Sequence, residues 1–266
     1  MSAWEAFLLG LIQAITEFLP ISSDGHLELG KALLNIQNAD NLTFTIIVHG
    51  GTTLSILVVF WDEIRKLLTQ LFTPRWNEGH QFALMVLVSM VPVGVVGLFF
   101  KDAVEALFTG SYIIVGCCLL LNGGILLLNH LPEPEERPLS YPTAIWMGIA
   151  QSIAVLPGVS RSGCTLTTAR LLGVRPLEAA RFSFLMVVPP ILGMMLLETQ
   201  KLMKDPAQAE AIGNTALIIG FLTSFGAGVV ACRFLLVLVR RQKLYVFGYY
   251  CLAVGALALL YGLDIA

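Results

Sequence analysis

The chain has 266 residues, 56% of them hydrophobic and only 13% charged, with a mean hydropathy of +0.80. A soluble domain carries about 25% charged residues, so this composition excludes one and describes an integral membrane protein. A net charge of −2 without a basic patch gives no footing for nucleic-acid binding, and five cysteines without ligand spacing, most of them in apolar runs, argue against disulfide and zinc roles.

The first apolar run has no positive segment before it, carries Glu5 early and lacks a small-residue cleavage site, so it is expected to stay in the mature chain. Within it lies Gly10–His26, GLIQAITEFLPISSDGH. Gln13 and Glu17 are four apart and share one face of a helix. Pro20 stops that helix, Ser22, Ser23 and Gly25 make a polar turn, and a second apolar limb follows from about His26 to Leu34. Ionisable groups at membrane depth are costly and mark functional sites.

Six later segments are long enough to cross about 30 Å of hydrocarbon. They run approximately Phe44–Trp61, Phe82–Phe100, Ile113–Leu131, Phe182–Leu197, Thr215–Val239 and Leu244–Leu263. Pro92 and the Pro189–Pro190 pair are expected to kink their helices. Between the third and fourth span the early pattern returns, as Gly148–Thr165, GIAQSIAVLPGVSRSGCT. Setting Gly10 on Gly148 puts Gln13 on Gln151, Ile15 on Ile153 and Gly25 on Gly163.

The broken stretches near 3–34 and 143–173 have limbs too short to cross, and both read as re-entrant hairpins. The expected fold is an all-α polytopic membrane protein with one membrane domain, 1–266. It is an inverted-topology repeat, about 1–131 and about 142–266, each half a re-entrant hairpin plus three transmembrane helices. Lys and Arg concentrate on one side, at Arg65, Lys66, Arg75, Arg137, Arg175, Arg181, Arg240, Arg241 and Lys243. The other side holds Lys101, Lys201 and Lys204, so the first side is cytoplasmic and both termini face outward.

The second turn is anion-seeking. Arg161 suits a bidentate grip on phosphate. Ser23, Ser160, Ser162 and Thr165 offer hydroxyls, and the helix after each turn aims free N–H groups and its positive end at the same place. Serine caps and an Arg161–Glu17 pair are the structural alternative. Glu17 with Gln13 either holds a divalent cation or Glu17 acts as a base. His26 attacks phosphorus, shuttles a proton or bonds to the backbone. Asp24 is a cap, a cation ligand or a cavity residue. His49 and Gly50–Gly51 line the cavity or pack in the core. An anion grip opposite a carboxylate and a histidine points to phosphoryl transfer on a lipid-linked substrate, and a secondary transporter or lipid-phosphate flippase is the alternative.

At these residues the chain resembles the undecaprenyl-diphosphatases, the bacitracin-resistance phosphatases of bacterial membranes. The resemblance covers nearly the whole length. Its most specific parts are Gln13-x-x-x-Glu17, Phe18-Leu-Pro-Ile-Ser-Ser-Asp-Gly-His26 and Pro157-Gly-Val-Ser-Arg-Ser-Gly163 with Thr165. It implies hydrolysis of undecaprenyl diphosphate to the monophosphate, recycling of the carrier lipid for cell-wall synthesis, bacitracin resistance, and dependence on Mg²⁺ or Ca²⁺. It implies Glu17, His26 and Arg161 as catalytic, Ser23, Ser160, Arg161, Ser162 and Thr165 as substrate-binding, and Gln13 and Glu17 as metal candidates. The location implied is the bacterial cytoplasmic membrane, and the assembly expected is a homodimer. Two residues depart from the family pattern: Asp24 stands where the family often has Thr, and His49 where many relatives have Gln.

Overall fold

A computed structural model describes residues 1–34, 36, 42–107, 111–132, 134–204 and 213–264, with side chains except at 42, 101, 105, 198 and 201–204. The side chains of Lys101, Lys201 and Lys204, which enter the charge argument, therefore lie outside the described residues.

The first hairpin is α1 (Ala3–Phe18) and α2 (Ser23–Leu33). A reciprocal cap starts α1: Glu5 N–H donates to Ser2 Oγ at 3.2 Å and Ser2 N–H to Glu5 Oε2 at 2.8 Å. It stops at Phe18 because the residue before a proline disfavours helical backbone; Leu19 is extended. The second hairpin is α8 (Tyr141–Ile153) and α9 (Arg161–Leu171). Pro142 opens α8, where a missing N–H costs nothing. Pro157 and Gly158 turn the chain, Gly158 at φ +110°. Its Cβ position lies 2.8 Å from the Val115 carbonyl, so only glycine fits this backbone and this closeness.

Among the described residues, five helical spans are long and apolar enough to cross a membrane. They are α5 (Glu78–Phe99); α7 (Tyr112–Leu127) with a 3₁₀ turn to His130; α10 and α11 (Pro176–Leu185, Val188–Lys204) taken together; α12 (Asn214–Arg240); and α13 (Tyr245–Asp264). A sixth comes from α3 (Leu42–Val59), bent by 77° into α4 (Trp61–Leu71), whose residues are all at least partly exposed. Five of the six expected spans are thus matched; the first, Phe44–Trp61, falls on α3, which reaches span length only together with α4 across the bend, and α4 and the short α6 (Lys101–Glu105) were not foreseen. Pro92 sits inside an unbroken α5, whereas the chain breaks between α10 and α11 just before Pro189–Pro190. Among the described residues the only β-type pairing is an isolated bridge, Arg137 to Val174.

Helices in lipid gain nothing from hiding apolar surface from one another, so close packing decides their partners. The α1 hairpin limb packs on α12, and the α8 limb on α5. α7 packs on α13, and α3 on both α11 and α12. The principal core gathers where the hairpins meet these spans, with Phe18, Phe182, Phe184, Met147 and Leu166 fully or nearly fully buried.

Candidate active site

The two polar bends meet. Pro20 lies early in one bend and Ser160 closes the other, and Asn122 of α7 bridges them. Its Nδ2 donates to the Pro20 carbonyl at 3.0 Å and its Oδ1 accepts from Ser160 N–H at 3.0 Å. Ser162 Oγ donates to the Phe18 carbonyl at 3.3 Å. The caps are duplicated: Gly25 N–H donates to Ser22 Oγ at 3.4 Å, and Gly163 N–H to Ser160 Oγ at 3.1 Å. Those are the positions that the internal alignment superposes. Ser22 takes φ +71°, a conformation an L side chain rarely adopts.

Across the bends, Arg161 Nη2 donates to Glu17 Oε1 at 2.8 Å. Arg161 Nη1 donates to the Ser183 carbonyl at 3.0 Å, and the guanidinium lies 5.9 Å from the Phe184 ring centre. The other Glu17 oxygen accepts from Ser23 Oγ at 2.7 Å and from Gln13 Nε2 at 3.3 Å. Both members of the pair are largely buried, so each charge depends on the other.

A cleft with about 760 Å³ of open space lies against this pair. Glu17, Ser23, Ser160, Arg161 and Ser162 line it, with Asp24, His49 and Gln151. The first turns of α2 and α9 both border it, so two helix N-termini present N–H groups there. His49 reaches in from α3: its Nδ1 bonds to the Thr45 carbonyl at 2.9 Å, and its Nε2 is 3.5 Å from Glu17 Oε2 and 3.8 Å from Asp24 Oδ1.

Three expected site residues stand back from the cleft lining. His26 bonds through Nδ1 to the Ser22 carbonyl at 2.8 Å and through Nε2 to Tyr250 Oη at 2.9 Å, with the two rings stacked. Of the three roles left open for it, backbone bonding is the one this geometry displays. Thr165 Oγ1 donates to the Arg161 carbonyl at 2.8 Å and meets Ser183 Oγ at 2.6 Å, so it supports the first turn of α9. Gln13 is fully buried beneath Glu17.

The metal expectation meets a poor donor set. Gln13 turns its amide N–H toward Glu17 while its Oε1 is buried without a partner, and both Glu17 oxygens already accept hydrogen bonds. Among the described residues, no group of three or more His, Cys, Asp and Glu side chains could hold an ion. These residues do not form a ready cage for a divalent cation.

Sequence reasoning missed Asn122 and Ser183. The signal for Asn122 was present, as a lone amide in an apolar span. Ser183 contributes a backbone carbonyl and a hydroxyl, and its residue type alone announces neither.

Residues 6–257 match the family model described as Bacitracin resistance protein BacA. An undecaprenyl-diphosphatase of Bacteroides fragilis is 45% identical over 260 residues, covering 97% of this chain and 98% of that protein. One from Bacteroides thetaiotaomicron is 46% identical over 256 residues, 96% and 97% of the two chains. One from Parabacteroides distasonis is 43% identical over 256 residues, 96% of each. With a family match over nearly all its length and an ion pair joining two polar bends inside an apolar helical body, the chain belongs to the bacitracin resistance protein BacA family.

Proposed function

We propose that this protein hydrolyses undecaprenyl diphosphate to undecaprenyl phosphate and inorganic phosphate. It thereby returns the carrier lipid to cell-wall synthesis and supports bacitracin resistance. The observation that carries this reading is the Arg161–Glu17 pair across the two bends, facing a cleft bordered by two helix N-termini. The relatives above are named for hydrolysis, and nothing in them favours the transporter alternative.

The diphosphate enters with its charge toward Arg161 and the N–H groups of α2 and α9, where preorganised donors stabilise charge that builds in the transition state. Ser23, Ser160 and Ser162 orient its oxygens. Ser23 gives its one hydroxyl hydrogen to Glu17, the catalytic carboxylate, and exchanges that bond for a phosphate oxygen when the substrate enters. Water attacks the terminal phosphorus while the bridging P–O bond breaks, its electron pair leaving with undecaprenyl phosphate. The proton lost by the water ends on the released phosphate. Thr165 and Gln13 hold Arg161 and Glu17 from behind. His26 holds the strained Ser22 turn through its carbonyl, a positioning role in place of attack on phosphorus. A divalent cation, Mg²⁺ or Ca²⁺, would neutralise charge on the diphosphate, with Glu17 and Gln13 available to it only if they gave up the hydrogen bonds they now make.

The inverted repeat gains support from reciprocal packing. The first hairpin rests on the second half's α12, the second hairpin on the first half's α5, and the spans α7 and α13 rest on each other. Gly10 abuts the Gly220 carbonyl, and its counterpart Gly148 abuts the Ser89 carbonyl. The α3–α12 packing has no counterpart of similar extent between α11 and α5. On this reading the two halves, about 1–131 and about 142–266, form one domain, 1–266; the distribution of Lys and Arg puts the termini outside the cytoplasm, and the family puts the chain in the bacterial inner membrane.

The test is phosphate release from undecaprenyl diphosphate by the purified chain in detergent. Wild type releases phosphate, and Arg161→Ala loses more than about 100-fold in kcat/KM. Chelation with EDTA lowers turnover and leaves the melting temperature of the substrate-free protein unchanged. Wild-type-like turnover of Arg161→Ala would overturn the site, and a chelator-induced drop in melting temperature would overturn the cation's proposed route.

A further inference from the structure

Gln151, in the last turn of α8, lines the cleft at 5% exposure, and its Oε1 is buried without a hydrogen-bond partner. An unpaired buried amide oxygen costs on the order of 1–3 kcal/mol, so an apolar residue of similar size would be more stable there. Gln13, its counterpart in the first hairpin, turns its amide N–H to Glu17, four residues on. Gln151 has Val155 at the corresponding place and no such carboxylate.

The cleft is rich in donors, and apart from the half-exposed Asp24 carboxylate its lining is short of uncommitted side-chain acceptors. Glu17 accepts from Arg161, Ser23 and Gln13, and Ser160 Oγ accepts from Gly163 N–H. A diphosphate finds donors in abundance. An attacking water needs the opposite: it must give one hydrogen to a fixed acceptor so that a lone pair faces phosphorus. Glutamine performs this task in other phosphoryl-transfer enzymes. The torsion that turns the amide is broad, so a rotation about it is enough to bring the buried Oε1 to the cleft without moving α8.

We propose that Gln151 Oε1 holds the water that attacks the terminal phosphorus. This rests on the diphosphatase reading above and adds a water-orienting residue from the second hairpin. The oxygen–phosphorus bond forms as the bridging P–O bond breaks, and the water's proton leaves on the released phosphate. Gln151 neither gains nor loses a proton; it supplies position, and its effect lies in kcat.

The test compares wild type, Gln151→Leu and Gln151→Glu as full-length purified chains, with undecaprenyl diphosphate as substrate and melting temperature as the folding control. Gln151→Leu, which removes the acceptor, lowers kcat at least about thirty-fold while KM stays within about two-fold. Gln151→Glu restores an acceptor and recovers most of kcat, with a raised KM because its charge repels the diphosphate. A Gln151→Leu variant with unchanged kcat, or with its loss in KM alone, would overturn the assignment; the second result would make the amide a phosphate ligand instead. Wild-type protein that releases no phosphate would remove the underlying diphosphatase reading rather than this residue's role.

Discussion

Arg161 and Glu17 sit 2.8 Å apart with little exposure, so the pair is a mutual dependence more than a store of stability. Breaking such a pair strands a buried charge and costs about 3–5 kcal/mol, whereas replacing both partners with neutral groups of similar size costs far less. Arg161→Met alone should therefore unfold at lower temperature than the Glu17→Gln/Arg161→Met double variant. Thermal unfolding in detergent, with phosphate release measured alongside, checks this: both variants lose turnover, and only the single one loses much stability. Asn122 makes a second residue-scale case. Asn122→Leu keeps the branching at Cγ, at a larger volume, but leaves the Pro20 carbonyl and the Ser160 N–H without the bonds Asn122 now makes to them. Each unpaired buried group costs about 1–3 kcal/mol. Because Asn122 touches both bends, kcat should fall along with the melting temperature. A variant that lost stability while keeping full turnover would contradict its bridging role.

At the scale of elements, the fit of α7 against α13 depends on glycine. A Cβ on Gly116 would lie 2.9 Å from the Gly255 carbonyl, one on Gly255 3.0 Å from the Gly116 carbonyl, and one on Gly123 3.0 Å from the Gly248 carbonyl. The seam is backbone on backbone, the arrangement that lets helices associate in lipid. Gly124, next along α7, has nothing within 4 Å of its Cβ position. Gly255→Leu should lower the melting temperature, with overpacking of about 1–3 kcal/mol or more. Gly124→Leu, pointing into open space, should leave it unchanged or raise it. Equal effects in the two variants would show that the seam does not hold the helices together. The hairpins belong to this scale too. The Gln–Pro–Ser–Gly order repeated in the chain was enough to read two broken helices and their caps, because proline and serine act on their immediate neighbours. A search for apolar runs passed over α4, although Trp61, Ile64, Leu67, Leu68 and Leu71 recur there at the spacing of an amphipathic helix and Ile64 and Leu67 pack on the core.

For the whole molecule, basic residues from separate elements gather on one side, where Lys66 of α4, Arg175, Arg181 of α10 and Arg240 of α12 line one cleft. If that side is cytoplasmic, a Lys66→Cys variant in a cysteine-free background reacts with an impermeant maleimide only after the membrane is opened. Asp102→Cys, at the opposite end of α5, reacts in intact cells. Lys66 and Asp102 are both exposed, so access to each is governed by the bilayer. The reverse pattern would invert the orientation and the termini with it.

What the amino-acid order decided by itself was local or additive: membrane residence from composition, five spans from run length, two breaks from proline, and an arginine set between two serines at the second break. Each depends on residues near one another in the chain. What only the tertiary structure decided was distance between groups far apart in sequence. It brought Glu17 to Arg161, set Asn122 between the bends, carried His49 to the cleft edge and turned His26 away toward Tyr250. The reason is packing: which helices approach closely enough for side chains to touch follows from shape complementarity along their whole length, which no single stretch of sequence records.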